Sequence, residues 1–306
     1  MAKDRDESPF MRLLIITQKV DKNDPILGFF HRWLEEFAKN FEKVIVICLG
    51  KGQYDLPENV KVISLGKEEG VSKAVYLSRF YLTIWEERVN YDAVFVHMNQ
   101  EYVLLAGDMW RFLGKKVYLW RNHAQGNIWT RMAVWLSHKV FYTSSSSWTA
   151  GFSKSVQMPV GVDTEFFRQD PSVMRAPNSF LFLGRISPVK KALEFVEWFN
   201  DLEDKFTATV AGPALAKDKE YYELVQSRAS NRIKFVGPVT QEEALKLYQS
   251  HETYVNMTPA GSFDKTIVEA AASGMKLKVD NPDAQNIDPE QHSLKRLMEK
   301  LKEEMS

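Results

Sequence analysis

The sequence is poor in features that would mark several protein classes. Its 306 residues contain one cysteine, Cys48, so an internal disulfide and a cysteine-rich zinc site are excluded, and the cysteine usage fits a reducing cytosol. No apolar run approaches the roughly 18 residues that a transmembrane helix needs. Residues 1–8 are polar and indicate no secretory signal. We therefore expect a globular protein of the cytoplasm.

The sequence also lacks an excess of either charge. Forty Lys and Arg residues balance forty Asp and Glu residues, so no global field would attract nucleic acid. Any anion-binding site must therefore be local. His and Cys residues do not cluster at the spacing of metal ligands, and the sequence predicts no metal site.

What the sequence does have is a regular alternation of apolar strand-like segments and helix-like segments. Strands that are apolar on both faces and alternate with helices indicate parallel sheets covered on both sides. The segments predicted as strands are residues 13–17, 44–48, 60–65, 93–97, 116–120, 140–143, 180–183, 208–211, 233–236, 253–256 and 277–279. The predicted fold class is α/β, with two Rossmann-like doubly wound domains facing across a cleft.

The sequence is predicted to form two domains and a closing helix. Residues 168–177 are polar and contain proline, which is typical of a linker between two alternations. We place the first domain at residues 1–161 and the second at residues 162–290. Residues 291–306 are predicted to form an amphipathic helix that packs back on the first domain.

One segment breaks a local rule of helix stability. The apolar strand at residues 180–183 is followed by a glycine turn, and Ser187 is predicted as the N-cap of the next helix. Lys190 and Lys191 would then lie in the first helical turn, where a cation costs about 0.3–1 kcal/mol. With Arg185 just before them, these cations indicate a site for a bound polyanion such as a diphosphate. The alternative is three solvated surface cations.

Four segments together resemble the signatures of one enzyme family. Residues 184–190 resemble its Gly-Arg-Leu-x-x-x-Lys motif, and residues 158–167 its interdomain Pro-Asn-Gly-Val-Asp-x-x-x-Phe motif. Residues 233–239 resemble the strand and loop near the nucleotide base. Residues 262–274 resemble its Glu-x-Phe-Gly-x-x-x-x-Glu-Ala-x-Ala-x-Gly motif. The chain is thus similar to the retaining, GT-B fold glycosyltransferases of the group 1 family, which use nucleotide sugars.

The resemblance implies a donor-binding site on the second domain. Arg185 and Lys190 would bind the diphosphate, and Glu269 would accept hydrogen bonds from the ribose hydroxyls. Independently of the family, a carboxylate in the apolar middle of a helix is expensive without a partner. The alternative for Glu269 is an i, i+4 pair with Lys265. The residues implied for donor binding are Gly28, Arg185, Lys190, Val239, Phe263, Lys265, Thr266 and Glu269.

The sequence departs from the family where the sugar would be held. The first glutamate of the last motif falls on Gly261, so the sugar site must be built differently. Asp264, where the family often has glycine, is a candidate catalytic residue that would supply a substitute carboxylate. Its alternative role is to stabilise the start of a helix. His123 matches the family's histidine that faces the donor sugar, and His97 is the competing choice, although either could be structural.

The resemblance also implies the reaction and its participants. A sugar would be transferred with retention, without a metal or cofactor, from a UDP- or GDP-sugar to the hydroxyl of a carbohydrate or lipid-linked acceptor. No nucleic acid partner is expected. The expected location is cytoplasmic, including the inner face of the membrane. Arg79, Trp85, Arg131 and Trp135 could form a peripheral membrane contact, although aromatic side chains at helical spacing more often form core.

The C-terminal part is shorter than the family pattern. Only the polar residues 280–291 separate the strand at residues 277–279 from the closing helix. The second sheet is therefore predicted to lack its last strand. Together with Gly261, this leaves a second hypothesis open, a degenerate and non-catalytic nucleotide binder or scaffold of the same fold.

Overall fold

The computed structural model of the chain describes residues 11–259, 263–284 and 287–306. These residues form two compact units. The first comprises the chain up to Lys22, Phe30–Met158 and Met298–Ser306, and the second comprises Asn23–Phe29 and Pro159–Leu297. Each unit contains one parallel sheet with helices, so the predicted α/β class is confirmed.

The first unit is built on a seven-stranded parallel sheet. Its strands are β1 (Arg12–Val20), β2 (Lys43–Lys51), β3 (Val60–Ser64), β4 (Ala93–His97), β5 (Lys116–Trp120), β6 (Lys139–Tyr142) and β7 (Ser155–Gln157). The order is β3-β2-β1-β4-β5-β6-β7, so the direction of winding reverses between β1 and β4. Every residue of β4 is buried, as expected for a central strand covered on both faces.

Four helices connect these strands. They are α1 (Phe29–Asn40), α2 (Lys73–Glu86), α3 (Gln100–Phe112) and α4 (Ile128–Leu136). Because crossovers between parallel strands are almost always right-handed, the strand order is expected to place α2, α3 and α4 on the same face of the sheet. Their inner sides share one hydrophobic core with the strands, to which Phe80, Trp110 and Val134 belong.

The second unit is built on a five-stranded parallel sheet. Its strands are β8 (Ala176–Leu183), β9 (Thr207–Ala211), β10 (Ile233–Gly237), β11 (His251–Asn256) and β12 (Lys276–Val279), in the order β10-β9-β8-β11-β12. Its helices are α5 (Ala192–Asn200), α6 (Lys219–Arg228), α7 (Gln241–Ser250) and α8 (Lys265–Ala272). The order reverses between β8 and β11, which places the start of α8 at a position where doubly wound sheets bind ligands.

Strand β8 begins inside the stretch that composition suggests to be a linker. Arg175 anchors this stretch because its guanidinium donates to the carbonyl oxygens of Tyr248 at 2.9 Å, His251 at 2.6 Å and Ser273 at 2.5 Å. Three backbone acceptors thus order a segment whose polar sequence gives no strand signal. The prediction of β8 was correct for residues 180–183 and missed its first four residues.

The chain after β12 contains no further strand among the described residues, as the sequence predicts. Two short 3-10 helices, Pro282–Ala284 and Pro289–His292, lead to the last helix, α9 (Leu294–Met305). Ser293 forms a β-bridge with Val162 in the second unit. From Met298 onward the helix belongs to the first unit, where the Tyr118 hydroxyl donates to the Met305 carbonyl at 2.9 Å.

Candidate functional site

Three loops meet at the carboxyl edge of the second sheet. Gly184 follows β8, Gly212 follows β9 and Gly237 ends β10. The Gly212 amide donates to the Gly237 carbonyl at 2.7 Å. Gly212 has φ of 134°, and a Cβ at this position would lie 1.9 Å from the Gly184 carbonyl oxygen. Only glycine permits this approach, which fixes the loop that carries the predicted cations.

The helix start in this loop differs from the prediction. Ser187 precedes a 3-10 helix, Pro188–Lys190, and makes no side-chain capping bond. Lys191 follows with φ of 55°, in the left-handed region, and α5 begins only at Ala192. The predicted N-cap at Ser187 is therefore wrong for the α-helix, and Lys190 lies in the 3-10 turn that precedes it. The left-handed residue was not predictable, because glycine normally occupies such positions.

The two predicted diphosphate ligands have different surroundings. Arg185 is exposed, and its side chain makes no hydrogen bond or ion pair with any residue in the described part of the chain. Lys190 instead forms an ion pair with Asp264, and the side chains are only 13% and 12% exposed. One cation therefore faces solvent, whereas the other already has an anionic partner.

Asp264 lies just before α8 and is held by three donors. Lys190 donates to its Oδ1, while the Asn256 amide at 3.1 Å and the Thr258 hydroxyl at 2.9 Å donate to its Oδ2. Burial alone would raise the pKa of Asp264, but the charge of Lys190 and these hydrogen bonds bring it below its ordinary value. Asp264 is therefore held as a carboxylate.

The start of α8 is also tied to the end of β8. The Tyr254 hydroxyl lies 2.7 Å from Thr266 Oγ1 and 3.2 Å from the Leu183 carbonyl oxygen. The Tyr254 ring is completely buried, and burial raises its pKa above the ordinary value. Thr266, predicted as a donor-binding residue, thus lies in the hydrogen-bond network around Asp264, because the Asn256 amide also reaches the Tyr254 hydroxyl at 3.2 Å.

Glu269 and Lys265 lie one turn apart on α8. Glu269 is 4% exposed and accepts a hydrogen bond from the Tyr248 hydroxyl at 2.9 Å. Burial raises the pKa of Glu269 to about 7, against the opposing effects of Tyr248 and Lys265. The Lys265 ammonium donates to the Val160 carbonyl, and burial lowers its pKa to about 7, with Glu269 opposing the shift. Both groups therefore titrate near neutrality.

Phe263, Val239 and Gly28 are the remaining predicted residues of the second unit. The Phe263 ring is 5.0 Å from the His292 ring, measured between centroids. Val239 is partly buried against the same apolar cluster as Phe263. The amide of Gly28 donates to the Asp24 carbonyl at 2.9 Å, in a segment grouped with the second unit. Gly261 lies outside the described residues.

The two candidate histidines of the first unit differ in exposure. His97 is buried, stacks on the Phe30 ring at 4.3 Å and lies 3.4 Å from the Thr17 hydroxyl, so it is a core residue. His123 is exposed beyond the carboxyl end of β5, and its Nδ1 accepts the Gln125 amide at 3.0 Å. Of the two, His123 has the ring that solvent and a ligand can reach.

Sequence reasoning missed the donors that hold the two carboxylates. Asn256 ends β11 and Thr258 follows it, and polar residues just past a buried strand are a signal that could have found them. Tyr248 gave no such signal, since it lies on the buried side of an amphipathic helix. No three His, Cys, Asp or Glu side chains in the described ranges gather as metal ligands would.

The outer surface of the first unit exposes large apolar side chains on α2 and α4. We call this set the α2–α4 face, and it comprises Leu82, Trp85, Ile128, Trp129, Met132 and Trp135. Trp85 is 52% and Trp135 is 68% exposed, so the alternative that these aromatics form core is wrong. Arg88 lies over the Trp85 ring at 4.3 Å, and Arg111 lies 6.0 Å from the Trp135 ring.

A family model covers about one third of the chain. Residues 177–277 match the model described as glycosyl transferases group 1. This segment contains β8 to the start of β12 and therefore the Lys190, Asp264 and Glu269 side chains described above. The predicted resemblance to the group 1 family is confirmed for it. No curated protein is significantly similar to the chain in sequence.

Solved structures match the fold over nearly the whole chain. HepE of Anabaena, crystallised with UDP, has a TM-score of 0.71 at 17% identity and covers 96% of this chain and 99% of its own. A glycosyltransferase of Rickettsia africae has a TM-score of 0.70 at 13% identity, and the match covers 96% of this chain and 97% of that one. Sucrose-phosphate synthase of Thermosynechococcus elongatus has a TM-score of 0.65 at 12% identity, and the match covers 95% of this chain and 89% of that one. At these identities the likeness shows the two-domain GT-B fold.

Proposed function

We propose that this protein transfers a sugar from a nucleotide-diphosphate sugar to an acceptor hydroxyl. The observation that carries the proposal is the pair of cations Arg185 and Lys190 at the carboxyl edge of the second sheet, inside the segment that matches the family model. The exposed guanidinium of Arg185 can form bidentate bonds to a phosphate. HepE of Anabaena, with the same fold, has been crystallised with UDP and with UDP-glucose.

The test is donor turnover. The protein is incubated with UDP- and GDP-sugars, and the release of free nucleoside diphosphate is followed with and without candidate acceptors. We expect release with at least one donor, and a large loss of it in Arg185→Ala. The matched control is Arg228→Ala, which removes an exposed arginine at the end of α6. Absence of turnover with every donor would contradict the proposal.

The proposed roles follow the positions of the side chains. Arg185 and Lys190 bind the diphosphate and stabilise its charge as it leaves. Glu269 accepts hydrogen bonds from the ribose hydroxyls, after some local rearrangement, because its carboxylate is buried against Tyr248. Of the two residues implied as catalytic, His123 would face the sugar, whereas the Asp264 carboxylate is paired with Lys190 and would therefore lie beside the diphosphate. The other residues proposed for donor contacts are Gly28, Val239, Phe263, Lys265 and Thr266.

The proposed reaction proceeds with retention of configuration and without a metal or a cofactor. The acceptor hydroxyl would attack from the face that the diphosphate leaves, through an oxocarbenium-like transition state. Arg185 and Lys190 would then stabilise the charge of the leaving diphosphate, as a divalent ion does in metal-dependent enzymes. The donor would be a UDP- or GDP-sugar, and UDP is supported by the complexes of HepE.

The α2–α4 face supports a peripheral contact with a lipid bilayer and, through it, a lipid-linked acceptor. Tryptophan rings favour the membrane interface because they have an apolar body and a polar N–H. Helix α4 carries one cation, Arg131, and no acidic residue. Each Arg near an anionic bilayer contributes about 1 kcal/mol of attraction. In the described part of the chain, no helix is long and apolar enough to cross a membrane.

A second candidate function is nucleotide binding without transfer. It is favoured by the observation that Lys190 and Glu269 both have protein partners, Asp264 and Tyr248. Thermal shift combined with an assay of sugar release separates the two functions. For a pure binder, UDP or GDP raises the melting temperature while no sugar is released from any donor over long incubation. For a transferase, nucleotide binding and sugar release are both lost in Arg185→Ala.

A further inference from the structure

The ion pair between Lys190 and Asp264 is largely shielded from solvent, since the two side chains are 13% and 12% exposed. It joins the end of the 3-10 helix after β8 to the residue before α8, 74 positions apart. The lysine that the proposed function assigns to the donor diphosphate therefore already has an anion beside it.

The carboxylate of Asp264 is fixed in place rather than loosely attracted. Its second oxygen accepts the Asn256 amide at 3.1 Å and the Thr258 hydroxyl at 2.9 Å. The orientation of Asn256 is itself fixed, because its Oδ1 accepts the Thr258 amide at 3.0 Å and its NH2 group must then face the carboxylate. Asn256 and Thr258 are buried. Asp264 thus has donors on both oxygens and little freedom to turn away.

A fixed carboxylate beside a phosphate-binding lysine has a defined electrostatic effect. It offsets the charge of Lys190 and repels any anion that approaches the same ammonium, since like charges in a partly buried site disfavour each other. The repulsion grows with the charge of the ligand. Above about pH 6 a nucleoside diphosphate carries one negative charge more than its sugar ester, because its terminal phosphate can ionise a second time.

We propose that Asp264 is a specificity-determining residue that weakens the binding of the free nucleoside diphosphate more than that of the nucleotide sugar. It acts as the resident counter-anion of Lys190. The donor, with the smaller charge, can enter beside it, whereas the product is destabilised and leaves more easily. This inference rests on the proposed function, since it assigns Asp264 a role in distinguishing the donor from the product of that reaction.

The experiment compares dissociation constants of UDP and UDP-glucose, and of GDP and GDP-mannose, for the wild type and Asp264→Asn by isothermal titration calorimetry. Asparagine keeps the shape and removes the charge. For the variant, we expect the dissociation constant of the nucleoside diphosphate to fall by roughly tenfold or more. The dissociation constant of the nucleotide sugar should fall only roughly threefold. Product inhibition of turnover increases accordingly. Asp264→Gly serves as a second variant if the asparagine disturbs folding, which circular dichroism monitors.

The matched control is Glu252→Gln, which removes the charge of an exposed ion pair with Lys276 in the same unit. It should leave both constants unchanged. Equal weakening of diphosphate and sugar nucleotide in Asp264→Asn would overturn the proposal, because the carboxylate would then position Lys190 for phosphate. Weakening of the sugar nucleotide alone would also overturn it, in favour of a contact to the sugar.

The proposed function can fail separately from this inference. If the wild type binds both ligands with the expected preference but transfers no sugar, the function fails and the inference stands. If Asp264→Asn binds nucleoside diphosphate and the wild type does not, the inference is supported in its strongest form. If neither protein binds any of the four nucleotides, both are overturned.

Discussion

The two units place their unusual side chains in opposite ways. The first exposes apolar residues on the α2–α4 face, whereas the second buries Glu269 within α8 and leaves Asp264 and Lys265, at the start of this helix, only partly exposed. Both arrangements oppose stability, since apolar surface prefers to be buried and charge prefers water. Such departures concentrate where function is located. In the proposed function, the first unit contacts a lipid bilayer through this face and the second binds a polar, charged ligand.

The largest expected effect is the loss of membrane binding when the α2–α4 face of the first unit is altered. The double variant Trp129→Ser and Trp135→Ser should lose more than tenfold in affinity for vesicles, because each ring contributes about 1.5–3 kcal/mol when its apolar surface is buried. Co-sedimentation with vesicles of phosphatidylcholine mixed with equal parts phosphatidylglycerol measures it. The protein should bind vesicles of phosphatidylcholine alone more weakly, since these vesicles have no anionic headgroup to attract Arg131.

The control for this experiment is Leu224→Ser, an exposed apolar residue of α6 in the second unit. It should bind vesicles as the wild type does. If the double variant also binds like the wild type, the α2–α4 face is not the membrane contact. A concentration-dependent dimer that the two substitutions abolish would assign the face to a second copy of the chain.

The second effect concerns the buried carboxylate and nucleotide affinity. Ribose hydroxyls donate to Glu269 best when it is ionised, and its pKa in the free protein is about 7. Lowering the pH from 8 to 6 should therefore weaken nucleotide binding by up to roughly tenfold. Lys265 titrates in the same range and, once protonated, favours the ionised carboxylate, so tenfold is the upper value. Calorimetry at several pH values measures the slope.

Glu269→Gln is the control for the pH profile, since it cannot titrate. The pH dependence of nucleotide affinity that remains in this variant comes from the nucleotide phosphate and from other groups. The difference between its slope and that of the wild type is the contribution of Glu269. Identical slopes for the variant and the wild type would rule out a titrating Glu269 at the ribose.

The third effect is on stability and uses the same substitution. The folded pKa of Glu269 is raised above its ordinary value of 4.5, so the unfolding free energy that this group contributes is lost as the pH rises towards and through 7. Glu269→Gln should therefore be more stable than the wild type by about 1–3 kcal/mol at pH 8.5 and equally stable at pH 5. Urea denaturation at both pH values tests this. If the variant is less stable than the wild type at pH 8.5, the ionised carboxylate is stabilised in the folded protein and the prediction is wrong.

The smallest effect concerns backbone strain at the start of α5. Lys191 has φ of 55°, and Lys191→Gly should stabilise the protein by about 1 kcal/mol because glycine has no Cβ to strain. Lys191→Ala keeps the Cβ and removes the charge, so it should give no such gain. The melting temperatures of the three proteins decide it. A gain in the alanine variant equal to that of glycine would attribute the effect to charge rather than to conformation.

Much of the fold was predictable because its signals are local. Strands β4 and β5 have the predicted limits, since each is a run of apolar residues that are neighbours in the chain. The family motifs are local as well, which is why residues 184–190 and 262–274 suggest the family whose model matches residues 177–277.

The site chemistry was less predictable because it joins distant segments. The pairing of Lys190 with Asp264 depends on the reversal of strand order between β8 and β11, which places the two loops together. The hydrogen bond from Tyr248 to Glu269 depends on how α7 and α8 pack. The 3-10 helix before α5 escaped prediction because Ser187 and Pro188 are equally suited to begin an α-helix.

The most direct single measurement is the calorimetric dissociation constant of UDP and GDP for the wild type, Arg185→Ala and Arg228→Ala at pH 8. If Arg185 binds the donor diphosphate, at least one nucleotide binds the wild type, its affinity falls roughly ten- to a hundredfold in Arg185→Ala, and Arg228→Ala matches the wild type. Unchanged affinity in Arg185→Ala, or no binding of either nucleotide to the wild type, would contradict a diphosphate site at the carboxyl edge of the second sheet.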